Sequence, residues 1–596
     1  MYTRTMIRCL RRPALAGSIL CAFAVLHVHA QQRPIDAFFE DFTAEWVRLS
    51  PNQATASRYF TGAEQDALET QLTPSTREWR HKRVALARRG LEQLKTFERA
   101  GLTDAQRVSA DLMAWQLAVV VEGEKYEDFV FPLEQFNGVN INVVNALTIV
   151  HPLNTEKDAV NYVARLRQVA ARMEEATGEA IQLAEKGMLP PRFILGATIT
   201  QMEQFIGTPA AQNPFVSAFN DRMSAVAAIP LARREALRAQ AEQITASQIY
   251  PAWRNALAVL RPLQVRATDV AGLSRFPGGN DAYAYFLRAF TSTTLTADEI
   301  HRIGLREVAR IEGEMDAILK RLGRAQGSVN NRIEQLKKDQ AYPLTEEGRA
   351  QIMRDVDGFM RDAQQRSALL FDKTPRAPVV ARAFPRFREA NAAANYNGPS
   401  PDGSRPGTFQ IPLRASRMTA FGLKTLVYHE TVPGHHFQIA LELENKSNPR
   451  FRQIRALGGI SALSEGWGLY AERLAAENGW YENDLEGQLG QLDASLFRAR
   501  RLVVDTGIHT KGWTRQQAID YGIEASEIER YVVNPGQACA YMIGQLKLVE
   551  LRDRARAALG SRFNAKEYHN AVLMTGTVPL TLLEEEVNKF IAQSRR

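Results

Sequence analysis

The stretch Tyr428-His429-Glu430-Thr431-Val432-Pro433-Gly434-His435-His436 holds three of the chain's ten histidines and a glutamate. A His-Glu pair with another histidine within two turns is how one helix offers two imidazoles to zinc and a carboxylate to zinc-bound water. The alternative is a helix and turn with solvated or structural histidines, because short motifs also match by chance. The stretch therefore predicts a zinc site, and its spacing constrains the fold that can build it.

The spacing of these histidines does not fit one regular helix. In the ordinary motif the two histidines are four residues apart and share a face, but the residue four after His429 is Pro433. His435 would lie on the opposite side of an ideal helix, and His436 about 10 Å along its axis. Proline cannot continue the helical hydrogen bonding and Gly434 has wide backbone freedom, so we expect a bulge that returns a later histidine to the metal. His435 is the expected second ligand, with His436 as the alternative.

A third ligand is expected in the stretch Ser464-Glu465-Gly466-Trp467-Gly468-Leu469-Tyr470-Ala471-Glu472, which indicates the start of a second helix. A catalytic zinc takes three protein ligands and keeps one position open for water. Glu465 is the candidate, and its alternative role is to stabilise the N-terminal end of the helix dipole. Glu472 lies on the same face two turns later, which suits it to support a ligand from behind or to form a salt bridge.

Five motifs follow one another in the C-terminal half of the chain: HETVPGHH at 429–436, SEGWGLYAE at 464–472, DTGIHTKGW at 505–513, ERYVVNPGQACAYMIGQ at 529–545 and VLMTGTVPLTLLEEEV at 572–587. In this order they resemble the motifs of the bacterial "domain of unknown function 885" proteins. The resemblance covers most of the chain and is densest from about Phe384 to the end.

The family is grouped with gluzincin-like metallopeptidases, and this resemblance implies both a fold and an activity. The implied fold is mainly α: a large, two-lobed helical body like that of angiotensin-converting enzyme and the oligopeptidases, with a substrate channel. Zinc and peptide hydrolysis are implied with it. Zinc peptidases of the dipeptidyl-peptidase-III type have a similarly lengthened histidine motif, which supports the expected bulge.

The expected chemistry uses zinc to bring the pKa of its bound water near neutrality. Glu430 would accept a proton from that water as it attacks the peptide carbonyl, and would pass the proton to the leaving amine. In related helical peptidases a tyrosine and a histidine from the C-terminal helices stabilise the oxyanion. By order and context these are Tyr541, then Tyr531, then His509, although Tyr541 could equally pack with a satisfied hydroxyl. Asp505 lies one helical turn before His509 and could orient it.

Three functions are compatible with these residues. The first is a zinc metallopeptidase that cleaves short peptides, with Arg498 and Arg530 as candidates to bind a substrate carboxylate or as structural ion pairs. The second is a zinc hydrolase of a non-peptide amide or ester. The third is a non-catalytic zinc-binding scaffold, against which Glu430 argues, because a structural zinc site needs no base.

The first thirty residues have the pattern of a secretory signal peptide. Four arginines precede the apolar stretch 14–28, and Val28-His29-Ala30 fits a cleavage site. A membrane anchor is the alternative, and no later stretch is long and apolar enough to span a bilayer. Without residues 1–30 the net charge falls from +8 to +4, too small a surplus for nucleic-acid binding, and only Cys539 remains. A periplasmic or secreted protein is expected.

The rest of the chain indicates helices grouped in two lobes, 31–380 and 381–596, within one continuous family domain. Capping boxes are predicted at Thr296, Thr514 and Ser526. Residues 381–413 are instead rich in proline, glycine and asparagine, and Thr408–Leu413 indicates a short strand. We expect 407–413 to be an edge strand that pairs with extended substrate, or else a connector between the lobes.

Overall fold

The computed structural model describes residues 34–384, 386–389, 393–400 and 405–595. This part of the chain is mainly helical with one small sheet, so the expected fold class is confirmed. The expected signal peptide at 1–30 lies outside the described residues. Within the described ranges, no helix combines the length and the apolar character needed to cross a membrane.

The first five helices belong to the largest core of the molecule. Helix α1 buries Phe39, Phe42 and Trp46, which recur at three- and four-residue steps on one face. The Trp46 indole donates a 3.0 Å hydrogen bond to the carbonyl of Ala456, and the Phe39 ring packs on Phe451. The N-terminal helices are thereby joined to the C-terminal half. They are α1 Ile35–Arg48, α2 Pro51–Ser57, α3 Gly62–Glu69, α4 Arg77–Leu94 and α5 Asp104–Gly123.

A second core lies between Leu133 and Ala267, with Leu72 added from outside this range. The helices before Leu133 join the main core instead. The division into lobes at 31–380 and 381–596 stays a prediction. Seven helices form the second core: α6 Val139–Asn145, α7 Glu156–Leu166, α8 Val169–Glu185, α9 Arg192–Gly207, α10 Pro214–Ser224, α11 Leu231–Ile244 and α12 Tyr250–Arg266.

The chain then returns to the main core. The capping box predicted at Thr296 is present: its side chain accepts from the backbone of Glu299, whose carboxylate accepts from Thr296. This helix buries Ile300, Ile311 and Met315 on one face. Four helices form this segment: α13 Gly279–Thr291, α14 Ala297–Arg321, α15 Val329–Asp339 and α16 Glu346–Ser367.

A three-stranded sheet precedes the histidine motif. Its strands are β1 Val379–Ala383, β2 Asn395–Asn397 and β3 Gly407–Ile411, with the short helix α17 Arg386–Glu389 after β1. The predicted strand near 408–413 is thus present as β3. The order is β1-β3-β2, with β1 parallel and β2 antiparallel to β3, so β3 is central. The expected edge-strand role of 407–413 is wrong, because β1 pairs with one side of β3 and β2 with the other.

The remaining helices carry all five sequence motifs. The capping box predicted at Thr514 is present, but the one at Ser526 is wrong, since Ser526 lies inside its helix and Glu524 precedes the first turn. The helices are α18 Ala420–Glu430, α19 His435–Glu444, α20 Arg450–Gln453, α21 Ser461–Glu477, α22 Leu485–Thr510, α23 Arg515–Asp520, α24 Ala525–Val533, α25 Ala540–Leu559, α26 Ala565–Thr575 and α27 Leu580–Ser594.

Helix α19 is anchored by the turn between α26 and α27. Glu442 accepts hydrogen bonds from the backbone N–H, at 2.9 Å, and the hydroxyl of Thr577. Gln438, one turn earlier, also donates to the Thr577 hydroxyl. Glu442 is 4% exposed and pairs with Arg455 at 3.4 Å. The motif at 572–587 therefore has a structural role: it fixes α19.

Replacing Glu442 with alanine should destabilise the protein by about 3 kcal/mol, because it leaves the buried Thr577 groups without an acceptor. Thermal unfolding of the purified protein measures this change. Glu482→Ala, at an exposed glutamate, is the matched control and should leave the melting temperature within error. Equal melting temperatures for the two variants would show that Thr577 does not anchor α19.

Candidate metal centre

The histidine motif spans a break between two helices. Helix α18 ends at Glu430 and α19 begins at His435, so the expected bulge inside one helix is wrong. The Pro433 carbonyl accepts a 2.9 Å hydrogen bond from the indole N–H of Trp467 on α21. A Cβ atom on Gly434 would lie 1.9 Å from the carbonyl oxygen of His429, so only glycine fits this close turn. The break turns the chain within four residues.

Through this turn, three side chains from three helices meet. Nε2 of His429 and Nε2 of His435 each lie 3.6 Å from Oε2 of Glu465, and one ligand atom from each residue lies within 4.8 Å of the other two. The two imidazole rings are nearly perpendicular, with centroids 4.8 Å apart. The structure therefore brings together the residues predicted as metal ligands.

His429 is held in place from behind. Its Nδ1 forms a 2.7 Å hydrogen bond with Oε1 of Glu472, which leaves Nε2 to face Glu465 and His435. Gly468 lies one turn before Glu472 on α21, and a Cβ atom there would be 2.6 Å from the His429 ring. A larger residue at 468 would displace the imidazole. Glu472 was expected to support a metal ligand from behind, and it does contact His429 in this way.

His436, the alternative ligand, faces a different neighbour. Its Nδ1 forms a 2.8 Å hydrogen bond with the hydroxyl of Tyr396 on β2. Burial lowers the pKa of His436 to about 4, so it is neutral near pH 7. His436 therefore joins α19 to the sheet, while His435 faces His429.

Charges within the cluster reinforce one another. Burial alone would lower the pKa of His429, but the carboxylates of Glu465 and Glu472 raise it to about 9. Burial alone would likewise raise the pKa of Glu465, and the two imidazoles hold it well below its usual range. Glu465 is therefore ionised near neutral pH, which is the state of a carboxylate that ligates a cation.

A cleft of about 590 Å³ opens onto these three residues. Glu430 and Tyr541, the predicted base and oxyanion donor, both line it. Burial, and next the charge of Glu465, raise the pKa of Tyr541, so its hydroxyl keeps its proton near neutral pH. Tyr531 is fully buried and bonds to Arg501 and Glu527 instead. The structure thus brings Glu430 and Tyr541 to the cluster, but not Tyr531.

His509 lies elsewhere, which corrects its expected catalytic role. It is about 16 Å along α22 from Arg498, which lines the cleft. Its Nδ1 accepts from the N–H of Leu273, and its Nε2 donates to the carbonyl of Tyr531 at 3.0 Å. With both ring nitrogens bonded to buried backbone groups, His509 cannot act as a proton donor to a substrate.

Asp505 does not orient His509. Its carboxylate accepts from the hydroxyl of Tyr283 and from the N–H of Gly536 at 3.0 Å. Burial raises the pKa of Asp505 to about 7. The Tyr283 ring stacks on His509 with centroids 4.8 Å apart. The motifs at 505–513 and 529–545 thus join α22 to α13 and to the chain before α25.

Sequence reasoning missed several residues of the cleft. Arg501 follows Arg498 by three residues on α22, and this spacing would have placed both on one face. Glu527 could have been found in the same way, three residues before Arg530. Phe136, 41% exposed, reaches the cleft from the loop before α6, and no local pattern signals that approach.

The chain belongs to the family described as "Bacterial protein of unknown function (DUF885)", whose model matches residues 51–587. A crystal structure from Colwellia psychrerythraea, described as a "putative lipoprotein", is 31% identical with a TM-score of 0.88, over 94% of this chain and 99% of that one. A "putative lipoprotein of unknown function" from Shewanella oneidensis shares the fold, at 20% identity and a TM-score of 0.70, over 93% and 99% of the two chains. No protein of curated function matches the chain.

His509 should make the stability depend on pH. Burial lowers its pKa to about 3, whereas an unfolded histidine titrates near 6.5, so unfolding takes up a proton below about pH 6.5. Its contribution to stability is complete above that pH and is lost progressively as the pH falls towards 3. Melting temperatures of the wild type and His509→Gln between pH 7.5 and 4.5 measure this effect. The variant should melt lower at pH 7.5 but with a shallower pH dependence, and identical pH dependence would contradict a neutral buried His509.

Proposed function

We propose that this protein is a zinc-dependent hydrolase that cleaves peptide bonds in short peptides. One observation carries the proposal: His429, His435 and Glu465 converge within 4.8 Å at a cleft that Glu430 also lines. Two imidazoles, one carboxylate and an open side are the arrangement of a catalytic zinc site, whereas a structural site closes the fourth position. We also propose that this chain is related to the gluzincin-like peptidases.

The donor set fits zinc better than a harder cation. Imidazole nitrogens suit zinc, while calcium and magnesium prefer oxygen ligands. A metal ion would displace the proton from Nε2 of His429, and the hydrogen bond between Nδ1 and Glu472 would keep the other nitrogen protonated, so that the Nε2 lone pair faces the ion. His429, His435 and Glu465 would hold the ion, which when bound supplies Lewis acidity towards a carbonyl and a water molecule.

Glu430 is the residue that we propose to transfer protons during hydrolysis. It follows a ligand directly in the chain, lines the same cleft and is 7% exposed. Its carboxylate would accept a proton from the attacking water and deliver it to the leaving amine. Tyr541, whose hydroxyl stays protonated near neutral pH, would donate a hydrogen bond to the developing oxyanion.

The size of the cavities favours peptides over compact substrates. The metal cleft is lined by Phe136 and Ser464, and an apolar cavity of about 470 Å³ is lined by Asn137 and Ser461, their near neighbours in the chain. Together they would take several residues of an extended chain and exclude folded proteins. A zinc hydrolase of a non-peptide amide or ester is the second candidate, because the same cluster and Glu430 would serve it. A non-catalytic zinc scaffold is the third, and a periplasmic or secreted location accompanies the proposal.

Elemental analysis should find about one zinc per chain after reconstitution. The variants His429→Ala, His435→Ala and Glu465→Ala should each lose it, since two ligands bind zinc far more weakly than three. His436→Ala is the matched control: it removes the neighbouring histidine, which contacts Tyr396, and should retain the metal. Absence of zinc from the reconstituted wild type would refute the proposal. Loss of zinc only in His436→Ala would show that the metal binds at His436 and not at the three proposed ligands.

Glu430→Gln should keep zinc and lose at least about a hundredfold in peptide hydrolysis, the usual loss when a general base is removed. A peptide library followed by mass spectrometry gives the activity. Glu524→Gln, at an exposed glutamate, is the control and should match the wild type. Full activity of Glu430→Gln would exclude the proposed mechanism, and cleavage of only non-peptide esters or amides would favour the second candidate.

A further inference from the structure

We infer that the arginine wall of the metal cleft, formed by Arg498, Arg501 and Arg530, binds a carboxylate of the substrate, and that the protein cleaves peptides near their free C-terminus. This inference rests on the proposed function and adds a substrate class to it. All three side chains line the same cleft as His429 and Glu430. Arginine is the side chain best matched to a carboxylate, because its guanidinium group donates two parallel hydrogen bonds to the two carboxylate oxygens.

Arg498 has the least satisfied guanidinium of the three. Among the residues that the structure describes, its side chain donates one hydrogen bond, to the carbonyl of Ala494 on its own helix, and the nearest carboxylate is that of Glu472, 3.9 Å away. Glu472 is already bonded to His429 at 2.7 Å. The Arg498 side chain keeps only 16% of its surface exposed. A largely buried cation with one neutral acceptor and a shared carboxylate gains most from an anionic ligand.

Arg501 and Arg530 share a single acid. Nη2 of each donates to Oε2 of Glu527 at 2.9 Å, and the hydroxyl of Tyr531 donates to the same oxygen. These cations hold the pKa of Glu527 at about 2 against the effect of burial, so it stays ionised. One carboxylate between two guanidinium groups leaves one positive charge unbalanced. Arg530 is the more exposed of the two, at 12% against 8% for Arg501.

The charge of the whole cleft points the same way. Three arginines and three glutamates line it, namely Arg498, Arg501, Arg530, Glu430, Glu465 and Glu527. A divalent ion on the ligand cluster would make the cleft positive, so it would attract an anionic substrate. Every unblocked peptide carries a C-terminal carboxylate whatever its sequence, which makes it the anion available in short peptides of any composition.

The position of Arg498 limits how far the carboxylate lies from the scissile bond. A single side chain, Glu472, separates Arg498 from the ligand His429. An extended peptide advances about 3.5 Å per residue, so the arginines can reach a carboxylate one or two residues beyond the metal. The expected products are therefore single amino acids or dipeptides released from the C-terminus.

The test compares N-acetyl-Ala-Phe-Ala-Ala as the free acid, as the C-terminal amide, and as an amide with aspartate in the last position. For the zinc-loaded wild type, amidation should lower kcat/KM by at least about tenfold, the loss expected for a charge-assisted bidentate contact. Affinity of the zinc-loaded Glu430→Gln variant for the acid and the amide, by calorimetry, gives the same comparison without turnover. If the aspartyl amide regains the lost rate, the wall takes a side-chain carboxylate, which overturns the C-terminal assignment.

Variants test which arginines are responsible. In Arg498→Gln and Arg530→Gln, the ratio of kcat/KM for the free acid to kcat/KM for the amide should fall towards one. Arg498→Lys should keep an intermediate ratio, because lysine retains the positive charge but cannot form two parallel hydrogen bonds. Arg500→Gln is the matched control, since Arg500 lies on the same helix but pairs with Glu312. Both substrates are assayed with the same preparation of each protein, so a misfolded fraction lowers both rates equally and leaves their ratio unchanged.

The outcomes separate the two proposals. If acid and amide are cleaved equally, the carboxylate wall is refuted while the zinc peptidase stands. If no peptide is cleaved, the proposed hydrolysis fails, and the calorimetric comparison still decides on the wall. Equal affinity for acid and amide, or no binding of the acid at about 1 mM, overturns the inference.

Discussion

The candidate centre depends on one constraint: the chain must leave α18 at Glu430 and begin α19 at His435 in a turn that presents both histidines to one point. A straight helix would direct them to opposite sides. The turn is held from outside, by the hydrogen bond from Trp467 to the Pro433 carbonyl, and its tightness requires Gly434. Because Trp467 lies on the helix that carries Glu465, the same contact that fixes the turn also brings the third ligand to the first two.

The sequence motifs around this turn have two different structural roles. Residues 429–436 and 464–472 form the cluster and its support, with Gly468 leaving room for the His429 ring and Glu472 bonded to it. The later motifs mostly position these helices: Asp505 and His509 bond to backbone groups around α22, and Thr577 fixes α19. Tyr541 and Arg530 are the members of the later motifs that line the cleft itself.

Features that depend on local chemistry could be predicted from the sequence, and those that depend on distant contacts could not. The capping box at Thr296 and the return of His435 towards His429 follow from residue types within one or two turns of the chain. The helical fold was implied by the family resemblance, and Glu465 was inferred because a catalytic zinc takes a third protein ligand. The role of His509 was mistaken because a histidine one turn from an aspartate looks the same whether it faces solvent or buried carbonyls. The central position of β3 in the sheet could not be predicted either, because it depends on pairing with β1 and β2 and not on the residues of β3 alone.

The anchor at Thr577 has a consequence for when the centre can exist. Protein chains are made from the N-terminus, and helices fold as their partners become available. Helix α19, which carries His435, is bonded through Glu442 to a residue synthesised 135 positions later. The histidine motif therefore leaves the ribosome long before the turn that locks it in place. Until the last two helices are made, α19 lacks this anchor, so the position of His435 is fully secured only when the fold is complete.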